Sequence, residues 1–299
     1  MLKIHQLSAS DTLIDSCMTS LKNELQTGKA ILIRGANILG AAAFSEFLNS
    51  LQLSTLQYQF ASTPRKELLK GIYTSTEYSS HQTIPLHHEN SYSSNWPSRI
   101  WFHCVTPAGE GGNTPIADGQ KVYEKIDPSV REEFENRGLL YVRNYSDIFD
   151  LPWQKVFHTN DRNAVENYCK KEGIYLNWKR DGGLQTRNKT QVTKEHRSNN
   201  RPVWFNQAHL YHVSNLGVEV MNALLDSFSS PFELPRNAFY GDGGEIDIAY
   251  LDHIRQVLNS CKTIFPWAQG DILCLDNSLI MHGRTPFKGQ REVLVAMTN

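Results

Sequence analysis

The 299-residue chain, long enough for one large domain or two small ones, predicts a mixed α+β fold. Short apolar runs bounded by turn residues recur at Ala30–Gly35, Ile100–Val105, Gly270–Leu275, Leu279–His282 and Glu292–Met297, the mark of buried strands. Between them, segments such as 41–51 and 245–260 carry apolar residues at helical spacing. A hydrophobic content of 40% with 10% aromatics supplies a substantial core.

In chain order, Ser10 is placed to cap a helix over 11–27, with Leu13, Ile14, Cys17, Leu21 and Leu25 inward and Gly28 as its stop. The strand Ala30–Gly35 leads to a helix over 41–51 that turns Phe44, Phe47, Leu48 and Leu51 to the core. Thr63-Pro64-Arg65 reads as a loop and Gly71–Thr74 as a strand. His103, inside an apolar strand, reads as a packed histidine. Gly111-Gly112 permits a tight turn. Helices follow over 119–126 and 128–137, the second entered through Pro128 and stopped by Gly138. Residues 144–200, with a helix near 161–172 and short polar strands around 174–193, form a long insertion that reads as a lid. Its segment Arg187–Arg201 reads equally as a solvated loop. After the strand at Arg201–Gln207, the polar residues Asn206, Gln207 and His209 line a pocket or make structural hydrogen bonds. Helices over 217–228 and 245–260 precede the last three strands. The turn Thr285–Gly289 is expected to pair the final two antiparallel, with Arg291 on the same face as His282.

Composition excludes some classes of function. The net charge is −1 and no basic block is present, which argues against a nucleic-acid partner. The five cysteines lack paired spacing, as expected in a reducing cytoplasm rather than in a disulfide scaffold. No apolar run approaches the length of a membrane span.

The chemistry concentrates in Leu86-His87-His88-Glu89-Asn90 and Met281-His282-Gly283-Arg284. In an extended segment i and i+2 share a face, so His87 and Glu89 point one way and His88 the other. Two imidazoles and a carboxylate with open positions opposite suit Fe(II) oxygen chemistry. The same set is also a catalytic zinc set.

These stretches, with Tyr73–Tyr78, Pro97–Phe102, Glu110–Pro115, Val203–Asn206, Tyr240–Gly243, Pro266–Asn277, Arg284–Phe287 and Gly289–Arg291, resemble the taurine dioxygenase/clavaminate synthase superfamily of Fe(II)- and 2-oxoglutarate-dependent oxygenases. The nearest likeness is to plant clavaminate synthase-like proteins and to the aspartyl hydroxylase of the syringomycin cluster. The resemblance implies a double-stranded β-helix, a jelly roll flanked by helices, and with it the chain reads as a single domain over residues 1–299. It implies Fe(II) on His87, Glu89 and His282, with 2-oxoglutarate and O2 as cosubstrates. Thr114 and Arg291 would hold the carboxylates of 2-oxoglutarate, Arg291 by a bidentate guanidinium contact. Related proteins usually carry a second arginine next, where this chain has Glu292. Arg284 is the rival for the cosubstrate, otherwise a structural ion pair.

Related halogenases lack the carboxylate ligand, so Glu89 implies hydroxylation of an unactivated C–H, or desaturation or ring closure, with succinate and CO2 released. The implied substrate is a small amino-acid-like molecule, free or tethered to a carrier protein. Asn90, Asn206 and Arg65 are candidates to bind it, and Arg143 or Arg201 could equally anchor a substrate carboxylate. Two other classes compete: a zinc hydrolase on the same three ligands, and a non-catalytic jelly-roll binding module.

Overall fold

The computed structural model describes residues 2–6, 24, 29–57, 65–75 and 78–299. The helix expected over 11–27 lies, apart from residue 24, outside the described residues, as do Thr63 and Pro64.

A seven-stranded sheet forms the base. Its order is Leu2–Gln6, Ala30–Arg34, Ile272–Asp276, Arg99–Thr106, Glu292–Thr298, Ile72–Thr74 and Glu67–Leu69. Alternation along its strands sends side chains to two cores. On the central strand, Trp101 packs with Ile31, Ile33, Cys274 and Leu294 under the helix Gly40–Ser50, whose Phe44, Phe47 and Leu48 are buried. Ile100, Phe102 and Cys104 point to the opposite face, where they meet Ile116 and Ile280 of a three-stranded sheet. That smaller sheet has the order Ile84–His87, Ile280–Arg284, Ile116–Asp118. Its own outer face, through Leu86, Ala117 and Met281, contributes to a third core.

This third core is built mainly by a four-stranded sheet of order Tyr175–Trp178, Leu184–Thr190, Leu139–Tyr145, Arg236–Tyr240, with helices around it. Local chemistry sets the helix ends. The Asp118, Asp127 and Asp247 carboxylates each accept from the N–H two residues on, at the starts of helices Gly119–Lys125, Pro128–Arg137 and Ile248–Cys261. The insertion 144–200 contributes the helix Arg162–Lys171 and the strands Tyr175–Trp178 and Leu184–Thr190 to this part of the fold, matching the helix and short strands expected there.

Two local expectations are corrected. The strand Ile84–His87 ends before Glu89, and Asn90 takes a left-handed turn at φ 57°. The last two strands do not pair with each other. Ile280–Arg284 joins the small sheet and Glu292–Thr298 the large one. Residues 285–291 cross between the sheets, and Phe287–Lys288 pairs with Glu110–Gly111 on the way. A tight hairpin would keep both strands in one sheet, whereas this longer connection lets each strand bury a different face.

Candidate active site

His87 and His282 are directly opposite partners across an antiparallel pair. Gly283 permits the close approach of these strands: a Cβ there would sit 2.5 Å from the Ile84 carbonyl oxygen. Phe102 of the large sheet lies 5.1 Å from the His282 ring, which places the site between the two sheets.

Glu89 reaches the histidines from the turn after the strand. Asn277 holds that turn: its Oδ1 accepts from Glu89 N at 2.7 Å, and its Nδ2 donates to Glu89 O at 3.0 Å and to Pro97 O at 2.9 Å. The ligand atoms of His87, Glu89 and His282 lie within 4.8 Å of one another. His87 Nδ1 pairs with the Pro85 carbonyl at 2.8 Å, which fixes the ring and leaves Nε2 for a metal. His282 Nδ1 is buried without a hydrogen-bond partner among the described residues, and its Nε2 stands 3.6 Å from Glu89 Oε2. Burial, with His282 adding to it, pushes the His87 pKa down to about 3, so the imidazole is neutral and its lone pair available. Burial opposes ionisation of Glu89, but Arg65 and the two histidines outweigh it and hold the carboxyl far below the usual range. A neutral His87 imidazole beside an ionised Glu89 carboxylate, with His282 across from them, is a donor set that fits a divalent transition metal.

The three groups open onto a cavity of about 640 Å³. Thr114 and Arg291 both line it. Thr114 is buried and its hydroxyl accepts from Trp267 Nε1 at 3.1 Å. Arg291 Nε donates to Gly112 O at 2.8 Å. Gly112, at φ +67°, makes room for this, because a Cβ there would meet Arg291 Cδ at 2.9 Å. Burial lowers the Arg291 pKa to about 10, with Arg284 contributing, and the guanidinium stays charged at neutral pH. Arg284 is a structural clamp of a different kind from the expected ion pair. It donates to the carbonyls of Tyr78, Ser79 and Gln82 and so ties that loop to the small sheet.

The substrate candidates separate. Arg65 lines the cavity and its Nη2 donates to Glu89 Oε2 at 2.9 Å, both side chains being buried. Asn90 is buried and does not line the cavity; its Oδ1 accepts from the Tyr92 hydroxyl. Asn206 does not line the cavity. Its Nδ2 donates to Val192 O and its Oδ1 accepts from Ala208 N, while the neighbouring Gln207 faces the cavity. His209 is buried against Leu86 O. Arg143 pairs with Asp150, and Arg201 with Glu124 at the surface. Within 144–200, Ile148, Phe149, Asp150 and Leu151 line the cavity. Sequence reasoning missed Asn277 as the clamp on Glu89, Trp267 as the partner of Thr114, and the pair Asp150–Arg236. The first two lay inside recognised stretches, but only distant contacts give them their roles.

Fold and site bring together two histidines and a carboxylate that could hold a metal, with an arginine and a threonine lining the same cavity, a donor set that suits a non-haem Fe(II) oxygenase. Comparison with known proteins agrees. The family model described as taurine catabolism dioxygenase TauD, TfdA family matches residues 4–298. The dapdiamide synthesis protein DdaC of Enterobacter agglomerans is 41% identical over 292 residues, covering 97% of this chain and 88% of that protein. A clavaminate synthase-like protein of Arabidopsis thaliana is 31% identical over 288 residues, covering 93% and 83%. Among solved structures, a taurine dioxygenase from Burkholderia xenovorans superposes with a TM-score of 0.54 at 14% identity, covering 99% of this chain and 85% of that one. An asparagine oxygenase, solved with Fe(II), 2S,3S-3-hydroxyasparagine and succinate, gives 0.55 at 11%, covering 94% and 77%. The chain belongs to the TauD/TfdA family and is an Fe(II)- and 2-oxoglutarate-dependent oxygenase acting with O2 on a small molecule.

Proposed function

We propose that the whole chain works as one oxygenase domain that hydroxylates an unactivated C–H of an amino acid or amino-acid-derived substrate, free or carrier-tethered, in natural-product biosynthesis. The observation that carries this is the shared cavity: His87, Glu89 and His282 open onto the same space as Arg291 and Thr114. A zinc hydrolase would have no use for that buried cation–hydroxyl pair. The facing large and small sheets are read as the jelly roll. The relatives support the substrate class by their names, one being a dapdiamide synthesis protein and one an asparagine oxygenase.

His87, Glu89 and His282 would hold the iron, and Arg291 and Thr114 would bind the carboxylates of 2-oxoglutarate. When bound, iron, 2-oxoglutarate and O2 would supply the oxidation of C–H to C–OH, one oxygen atom going to the product and the other to succinate, with CO2 released. The protein's own part is position and exclusion of water. Phe102, Val293 and Val295 give the cavity an apolar lining, and Ile148–Leu151 of the insertion adds to its wall. Retention of Glu89 favours hydroxylation over halogenation, with desaturation or ring closure as alternative outcomes of the same chemistry.

Anaerobic addition of Fe(II) and 2-oxoglutarate to the metal-free protein is the test. A weak visible charge-transfer band, lost in His87→Ala, and, once O2 is admitted, amino-acid-dependent succinate release are expected. No band, with zinc retained instead, would move the hydrolase to first place.

A further inference from the structure

The cavity is larger than a cosubstrate site requires and lies within the range of pockets for drug-sized ligands. Apart from the metal and cosubstrate groups, its wall carries a second polar centre. Asp150 and Arg236 line the cavity, and Arg143 stands behind them. The Asp150 carboxylate accepts from Arg143 Nε at 2.7 Å and Nη2 at 3.2 Å, and from Arg236 Nε at 2.9 Å and Nη2. Leu151 N adds a fifth donor at 2.7 Å. A carboxylate has about four lone-pair sites, so Asp150 has no acceptor capacity left for a substrate ammonium group. Two guanidinium groups share this one carboxylate.

Arg143 is buried, whereas the Arg236 side chain is 28% exposed and its Nη1 has no acceptor among the described residues. The other cavity cations are engaged. Arg65 faces Glu89, Arg284 is bonded to backbone carbonyls, and Arg291 is assigned to the cosubstrate. Leu151, Val213 and Pro235 line the same cavity with the polar His212 and Asn215, and the Arg236 guanidinium stands 5.9 Å from the Tyr211 ring. A charged donor held by a buried partner is a strong and oriented anion site.

We propose that Arg236, oriented by Asp150, anchors an anionic group of the substrate, a carboxylate borne away from the carbon that is oxidised. This rests on the oxygenase reading and narrows it. A free amino acid would present its own carboxylate, and a tethered one an acidic side chain.

The test uses the full chain loaded with Zn(II) and N-oxalylglycine, an inert stand-in for iron and cosubstrate. N-acetyl-L-leucine, N-acetyl-L-phenylalanine and N-acetyl-L-asparagine are each titrated by calorimetry against their primary amides, which differ by the single charge. The acids should bind about tenfold more tightly than the amides, the worth of one charge-assisted hydrogen bond. Arg236→Gln should erase that preference, and Arg236→Lys, which keeps the charge but not the fork, should retain part of it. Absence of any acid preference in the wild type, whether both ligands bind or neither does, overturns the proposal. A preference that survives unchanged in either variant does the same. The Fe(II)–2-oxoglutarate band, recorded on the same wild-type protein, separates the two levels. A missing band sinks the oxygenase reading, while a normal band without acid preference sinks only the anchor.

Discussion

Replacing Asn277 by alanine should damage stability and metal binding together. The side chain is fully buried and serves three backbone groups: the N–H and C=O of Glu89 and the C=O of Pro97. Alanine leaves all three buried without a partner. Each such group costs about 1–3 kcal/mol, so the variant should lose about 3 kcal/mol even at the low end. That is a large part of the roughly 5–15 kcal/mol available to a folded protein. Urea unfolding of the metal-free protein, followed by circular dichroism, reads this as a lower midpoint at unchanged slope. Because the freed backbone carries Glu89, the affinity for Mn(II), measured by electron paramagnetic resonance, should fall in the same variant. A stability loss below about 1 kcal/mol, or full Mn(II) affinity, would refute the reasoning, since the turn would then be held by something other than Asn277.

Three further outcomes follow from the same geometry. Arg291→Gln should weaken 2-oxoglutarate by about 10- to 100-fold, the worth of a charge-assisted contact, while leaving Mn(II) binding intact; an unchanged cosubstrate titration of the visible band would assign the carboxylate elsewhere. Gly112→Ala places a methyl group 2.9 Å from Arg291 Cδ at φ +67°, so it should raise the 2-oxoglutarate requirement and lower stability by at least about 1 kcal/mol; wild-type values on both scores would sink this. Burial, with Arg255 contributing, lowers His209 and His212 to about 4, whereas an unfolded chain protonates them near 6.5. The unfolded state therefore binds more protons between these values, and stability should fall as pH drops from about 6.5 towards 4, by at most about 3 kcal/mol per pH unit for the pair. Urea midpoints across this range should flatten in His209→Gln and His212→Gln; unchanged slopes would show that other groups carry the acid sensitivity.

The sequence by itself picked out the candidate metal-binding set, because a ligand must be one of a few residue types and His87, Glu89 and His282 stood in recognisable surroundings; the structure brings their ligand atoms within 4.8 Å of one another. The sequence also determined most strands and helices. Period-2 and helical apolar patterns, aspartate caps and Pro128 act within a few residues, and the elements formed where those local signals lay. The tertiary structure alone decided which strands met. Leu279–His282 and Glu292–Met297 looked like a hairpin, but which face each strand must bury is settled by distant partners, and that sent them to different sheets. Likewise Asn206 and Gln207 are equally polar neighbours, and only the backbone turn at that point puts Gln207 in the cavity and leaves Asn206 bonded to Val192 and Ala208. The Asp150–Arg236 pair joins residues 86 positions apart. No local pattern encodes such a contact, because the energy that fixes it exists only once the intervening chain has folded.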